Sequence, residues 1–185
     1  RWREMSDFQD FPKMARWSRD VIITEKLDGT NAQVFISEDG NFFTGSRTRW
    51  ITPSDDNYGF AAWAQSNKDE LLKLGPGRHF GEWWGRGIQR NYSMPDRRFS
   101  LFNTSRWTQE AKPECCDVVP VLYAGPMAPG LMEKYIRQLS QIGSVAAPGF
   151  MDPEGVVLFH VAGNVGFKKT IKKDEAPKSQ HQRSA

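Results

Sequence analysis

No apolar run in this sequence approaches the roughly 18 to 20 residues that span a bilayer, so a helical membrane protein is excluded and no membrane partner is expected. Cysteine is scarce: Cys115 and Cys116 are adjacent, which disfavours an ordinary disulfide, and no CxxC or Cys/His cluster suggests a metal site. The histidines His79, His160 and His181 form no ligand spacing. The opening residues Arg1-Trp2-Arg3-Glu4 lack the apolar core of a signal peptide, which argues against the secretory route. A reducing, cytoplasmic setting is the expectation. Net charge is also slight, at +3, and permits nucleic-acid binding without demanding it, because the clustering of cations matters more than their sum.

What is present is enough for one core. The chain has 185 residues, is 38 % hydrophobic, and carries seven Trp and twelve Phe, a globular composition. Val21 to Thr24 is a β-branched run that reads as a buried strand. Asn31 to Ser37 reads as the next, and Asp39-Gly40 supplies a turn into Phe42 to Thr44. Helical spacing runs from Phe60 to Leu74, stopped by Gly75-Pro76-Gly77. Strand patterns follow at Arg78 to Trp84, Arg98 to Phe102 and Asp117 to Tyr123, the last with Pro120 implying an edge or a bulge. Leu131 to Ile142 keeps one apolar face and ends at Gly143, so it reads as a helix. Gly155 to Val161 and Val165 to Ile171 read as a hairpin through Gly163-Asn164, and the polar residues from Lys172 onward as a basic tail. Mostly antiparallel strands with two sizeable helices give an α+β domain.

Four segments carry chemistry. In Thr24-Glu25-Lys26-Leu27-Asp28-Gly29-Thr30-Asn31, a lysine follows an apolar strand and precedes an Asp-Gly turn, which sets an amine at the mouth of a sheet. Covalent catalysis by lysine needs an amine whose protonation is disfavoured by burial or a neighbouring cation. Phe80-Gly81-Glu82 and Glu154-Gly155-Val156-Val157 each place a carboxylate at a strand end, and Phe167-Lys168-Lys169-Thr170 brings cations to the last strand. Each motif alone has an ordinary structural explanation. As an ordered set they supply a nucleophile, an acid for a divalent metal, and a cation for a phosphate.

This order of KxDG, FGE, EGVV and FK resembles the covalent nucleotidyltransferases: DNA ligases, RNA ligases and mRNA capping enzymes. The stretch Glu25 to Asn31 is most similar to ATP-dependent RNA ligases of the editing and repair type. The resemblance implies an α+β nucleotidyltransferase (ATP-grasp-like) fold of antiparallel sheets flanked by helices. It implies residues 1–171 as an adenylylation domain followed by a basic polar tail, 172–185. Its cofactors would be ATP and Mg²⁺ or Mn²⁺, and its partner RNA with 5′-phosphate and 3′-hydroxyl ends, acted on by a monomer. Lys26 would be the adenylated nucleophile, with Glu25 helping to read the adenine edge and Asn31 near the sugar and metal waters. Arg47 would contact the nucleotide sugar or phosphate, and Glu82 the ribose hydroxyls. Phe102 would stack on adenine, with Phe99 an alternative register. Glu154 would bind the metal, and Lys168 the α-phosphate, with Lys169 beside it.

The last motif departs from the family pattern, because Thr170 stands where a second lysine is usual, and Lys169 on a strand would face the other way. The chain stops shortly after this motif, which fits either a minimal ligase or the catalytic domain of a longer one. The two basic clusters, Arg86, Arg90, Arg97 and Arg98, and Lys168, Lys169, Lys172 and Lys173, are candidate RNA-backbone contacts. A DNA ligase, a capping-type enzyme of the same superfamily, and a non-catalytic nucleotide- or RNA-binding module are the alternatives.

Overall fold

Burial alternates residue by residue along β1 (Asp20–Lys26), with Val21, Ile23 and Glu25 inside, so this strand separates two faces of a sheet. The structure is a computed structural model that describes residues 7–175. In it, β1 is an inner strand of a four-stranded antiparallel sheet. Its neighbours are β8 (Val121–Pro126) on one side and β9 (Gly155–His160) on the other, with β10 (Val165–Thr170) beyond β9.

The second sheet has six strands. In spatial order they are β4 (Trp50–Ile51), β3 (Phe42–Gly45), β2 (Thr30–Ile36), β5 (Gly77–Gly85), β6 (Arg97–Leu101) and β7 (Asp117–Val118). Every pairing is antiparallel except β6 with β7. Helices cover one face of each sheet. Against the four-stranded sheet lies α3 (Leu131–Ile142), whose Leu131, Tyr135 and Leu139 meet Val21, Ile23, Val156 and Leu158. Phe60, Ala61, Ala64 and Leu71, from α1 (Phe60–Ser66) and α2 (Lys68–Leu71), pack on Val34, Ile36, Trp83 and Phe99 of the six-stranded sheet. Leu27, Trp84, Tyr92, Val119 and Ala147 form a third cluster beside the crossover from β1 to β2.

Three sequence expectations are corrected. The helix over Phe60 to Leu74 is interrupted at Asn67, whose φ of −112° is not helical and whose side-chain amide donates to the Trp63 carbonyl. Beyond α2 the chain tightens to a 3₁₀ turn over Leu72–Leu74, so among the described residues only α3 is a sizeable helix. The strand over Asp117 to Tyr123 is two strands in different sheets, β7 and β8. Pro120 has no N–H to give a ladder, and here the chain leaves one sheet for the other while the Pro120 carbonyl accepts from Glu25 N. The two-residue β4 was not expected at all. The turn after β2 forms as anticipated, with Gly40 at φ 84° and its N–H donating to Ser37 O. Of the expected tail, residues 176–185 lie outside the described residues.

Candidate active site

Lys26 is the last residue of β1 and pairs in register with Gly155, so Glu154 stands directly beside it. The Lys26 amine donates to Glu154 Oε2 at 2.9 Å, with side-chain exposures of 21 % and 8 %. Strand alternation decides which other groups share this face. Thr24 aligns with Val157 and Val157 with Lys168, so Lys168 lies on the Lys26 face of the sheet. Lys169 aligns with Val156, which is in the core beneath α3, and its amine reaches Asp174 at 3.5 Å.

The chain crosses to the second sheet through Leu27-Asp28-Gly29. Gly29 is required by a close approach: a Cβ there would lie 2.3 Å from the Trp83 carbonyl oxygen. Its N–H donates to buried Glu82 at 2.9 Å, and Glu82 pairs in register with Asn31 on one side and Ser100 on the other. Asn31 is exposed. Phe102, two residues past Ser100, is on the same face as Glu82 and is 44 % exposed, while Phe99 is fully buried among Phe60, Trp63 and Trp83. Burial thus assigns the open aromatic to Phe102. Arg47 is exposed in the turn between β3 and β4, with no hydrogen bond or ion pair among the described residues.

Glu25 has a role the sequence did not show. Its side chain points to the α3 side, is 1 % exposed, and accepts from Ser144 Oγ at 2.7 Å, Val145 N at 2.7 Å and Ala146 N at 3.0 Å. Burial raises its pKa against the lowering by these donors. The carboxylate therefore holds the loop after α3 in place.

The structure also reveals a network around the KxDG turn. Arg90 Nη1 donates to Asp28 at 2.6 Å, and its Nε lies 3.6 Å from Asp152, which Lys172 approaches at 3.1 Å. Burial pulls the Arg90 pKa down, but the carboxylates of Asp28, Glu154 and Asp152 outweigh it and leave it raised. Asp28 N donates to the Tyr92 hydroxyl at 2.8 Å, and burial keeps that phenol neutral by pushing its pKa far up. The positions involved are 62 and 64 residues apart in sequence, so no local pattern could link them. The basic cluster read from the sequence is accordingly split in role. Arg90 braces the turn, Arg97 donates to Arg86 O at 2.8 Å, and Arg98 reaches Asp96 at 3.3 Å and Asp117 at 3.8 Å.

Among the described residues no cluster of three or more His, Cys, Asp or Glu could cage a metal, and no helix is long and apolar enough to cross a membrane. Cavities of about 510 and 550 Å³ flank the site, and neither is lined by Lys26 or Glu154. The first, bounded by Trp84, Arg98, Ser100, Val145 and Ala146, adjoins the loop that Glu25 holds.

Two largely antiparallel sheets, joined by a short crossover with a lysine at its start and a buried acid under its glycine, define a nucleotidyltransferase-like fold. Residues 19–173 match the RNA ligase family, and the chain belongs to that family. No curated protein matches it. Among solved structures, it is similar to point mutants of the Naegleria gruberi RNA ligase. One with ATP and Mn shares 19 % identity at a TM-score of 0.58, over 84 % of this chain and 51 % of that one. A second with ATP and Mn gives 19 % and 0.60 over 84 % and 51 %, and one with AMP and Mn gives 19 % and 0.59 over 83 % and 50 %. The chain spans about half the length of these structures.

Proposed function

We propose that this chain is the adenylylation domain of an ATP-dependent RNA ligase, spanning residues 1–171 with a basic tail, and that it seals 3′-hydroxyl and 5′-phosphate ends. The reading is carried by Lys26 held at 2.9 Å from Glu154, on the sheet face it shares with Lys168, in a chain of the RNA ligase family. Lys26 attacks the α-phosphorus of ATP, forming an N–P bond as the bond to the leaving pyrophosphate breaks. The AMP then passes to the 5′-phosphate of RNA and frees the lysine. Attack of a 3′-hydroxyl on that activated phosphate forms the phosphodiester and releases AMP.

The roles follow position. Lys168 offsets charge on the α-phosphate, Glu82 accepts from a ribose hydroxyl, Phe102 stacks on the base, and Asn31 and Arg47 meet the sugar and phosphates from the rim of the second sheet. Glu25 is left out, because its carboxylate is engaged with the loop at 144–146. A single mostly buried carboxylate without a protein cage suits a magnesium or manganese ion that arrives on the nucleotide, since such ions are commonly bound through one or two carboxylates plus phosphates. Glu154 would hold that ion, which supplies charge neutralisation at the phosphates. In the structure Glu154 is ion-paired to the lysine, so the acid must release the amine before the amine attacks.

The test is intact-protein mass spectrometry after incubation with ATP and Mg²⁺, followed by addition of nicked RNA. One AMP on Lys26 is expected, lost on the addition of RNA and absent in Lys26→Ala. An adduct that survives Lys26→Ala sinks the assignment.

A further inference from the structure

The face of the six-stranded sheet that carries Asn31, Glu82 and Phe102 continues outward into an aromatic surface that the transfer chemistry does not use. Phe35 follows Asn31 by four residues on the same side of β2, about 13 Å away at about 3.3 Å per residue. Phe43 pairs with Phe35 in register, and Trp50 pairs with Gly45 on the next strand. The three rings tile against one another with centroids 5.9, 6.2 and 5.8 Å apart. Phe43 and Trp50 are 46 % and 50 % exposed, although the core on the opposite face is already closed by Val34, Thr44 and Ile51. These rings are therefore not needed to seal the fold. The exposed Arg78 lays its guanidinium over Phe35 at 4.5 Å and over Trp50 at 5.8 Å.

Charge indicates what such a surface receives. Arg78 and Arg47 make no ion pair among the described residues. Asp55 is engaged with Arg49 at 3.0 Å and Asp56 with the backbone N–H groups of Ala61 and Ala62 at 2.8 and 3.0 Å, while the exposed Glu38 and Asp39 sit in the β2–β3 turn at the outer end of the patch. Flat exposed rings carrying a guanidinium without an ion pair match the π-faces and phosphates of an unpaired nucleic-acid strand. Phe80, 51 % exposed on the same face between Arg78 and Glu82, continues the apolar track toward the transfer site. A second copy of the chain would find little template at this edge, because β4 is two residues long.

We infer that Phe35, Phe43 and Trp50, with Arg78 laid over two of them, form a stacking platform for unpaired bases of the RNA strand entering the transfer site. This rests on the RNA ligase reading above. The platform takes any base, because stacking does not read hydrogen-bonding edges, and it would hold a strand within a few nucleotides of Lys26.

The experiment is fluorescence anisotropy with a 5′-phosphorylated, unpaired oligo(A) RNA on the full chain, together with photocrosslinking of a 4-thiouridine-containing RNA. Phe43→Ala/Trp50→Ala should weaken RNA binding about tenfold or more, the scale of losing a stacked base, while lysyl-AMP formation from ATP keeps its wild-type rate. Trp50→Phe should retain most of the affinity, and crosslinks should map to Phe43 or Trp50. Unchanged affinity in the double variant overturns the platform, as do crosslinks confined to other strands. A wild-type dimer that the double variant turns into a monomer overturns it too, by assigning the patch to a copy-to-copy contact. Failure to form lysyl-AMP in the wild type would instead strike the ligase reading, leaving the anisotropy result to judge the platform.

Discussion

Replacing Arg90 by methionine keeps much of the side chain's length and removes the charge that braces the KxDG turn. The magnitude follows from burial. The Asp28 side chain is 6 % exposed and Arg90 26 %, joined at 2.6 Å. Removing one partner of a fully buried pair costs about 3 to 5 kcal/mol, because the remaining charge loses its opposite in a poorly solvated place. Partial exposure of Arg90 lowers this to about 2 to 3 kcal/mol, the range of a hydrogen bond to a charged group. For a domain of this size that is a fall in Tm of roughly 4 to 12 °C. Asp28→Asn removes the other half of the same ion pair, so Asp28→Asn/Arg90→Met should cost less than the sum of the two single changes. Arg49→Met is the control: its pair with Asp55 has side chains 46 % and 76 % exposed, and its loss should cost at most about 1 kcal/mol. Urea unfolding of the four proteins of the cycle, with the control alongside, gives each term. Strict additivity at positions 28 and 90, or a cost for Arg90→Met no greater than the control, would refute the bracing role.

Phe102→Leu should weaken ATP binding by about 1 to 3 kcal/mol, whereas Phe99→Leu should chiefly lower stability, by about 1 to 2 kcal/mol, because Phe99 is wholly buried. Calorimetric titration beside thermal melts separates the two, and the opposite order would shift the stacking role to another side chain. Glu82→Gln keeps an oxygen that accepts from Gly29 N, so the turn should survive. It should weaken ATP by about 1.5 to 3 kcal/mol yet leave 2′-deoxy-ATP almost unaffected; equal losses for the two nucleotides would remove the ribose contact. Glu25 has a pKa raised above its ordinary value of 4.5 by burial, so between 4.5 and the raised value the folded state binds more protons than the unfolded one. Its contribution is therefore favourable below that window and is lost as pH rises through it. Urea unfolding from pH 4 to 7 should show wild type losing ground to Glu25→Gln as pH increases, and a wild type that gains ground contradicts this.

Much of this molecule is written in short stretches of its sequence. The β-branched run at Val21 to Ile23, the turn at Asp39-Gly40 and the apolar face of Leu131 to Ile142 each follow from neighbours a few residues apart, and each forms. The order of the lysine, the two acids and the last cations was equally legible, as was the opposite facing of Lys168 and Lys169, because alternation is intrinsic to a strand. Alternation does not say which side of a strand meets a ligand. Only the pairing of β5 with β6 and the packing of α1 put Phe99 in the core and leave Phe102 open. Only the arrival of the loop after α3 removes the Glu25 carboxylate from solvent, at a distance of about 120 residues in sequence. The transfer of the chain between sheets at Pro120, the Arg90 brace on Asp28, and the joining of Phe35, Phe43, Trp50 and Arg78 into one surface share that origin. Local pattern was enough for most of the strands, the helix α3 and the order of the reactive groups, but not for the break at Asn67 or the two-residue β4. Which of those groups face one another follows from burial and pairing, which are properties of contacts between segments distant in the chain.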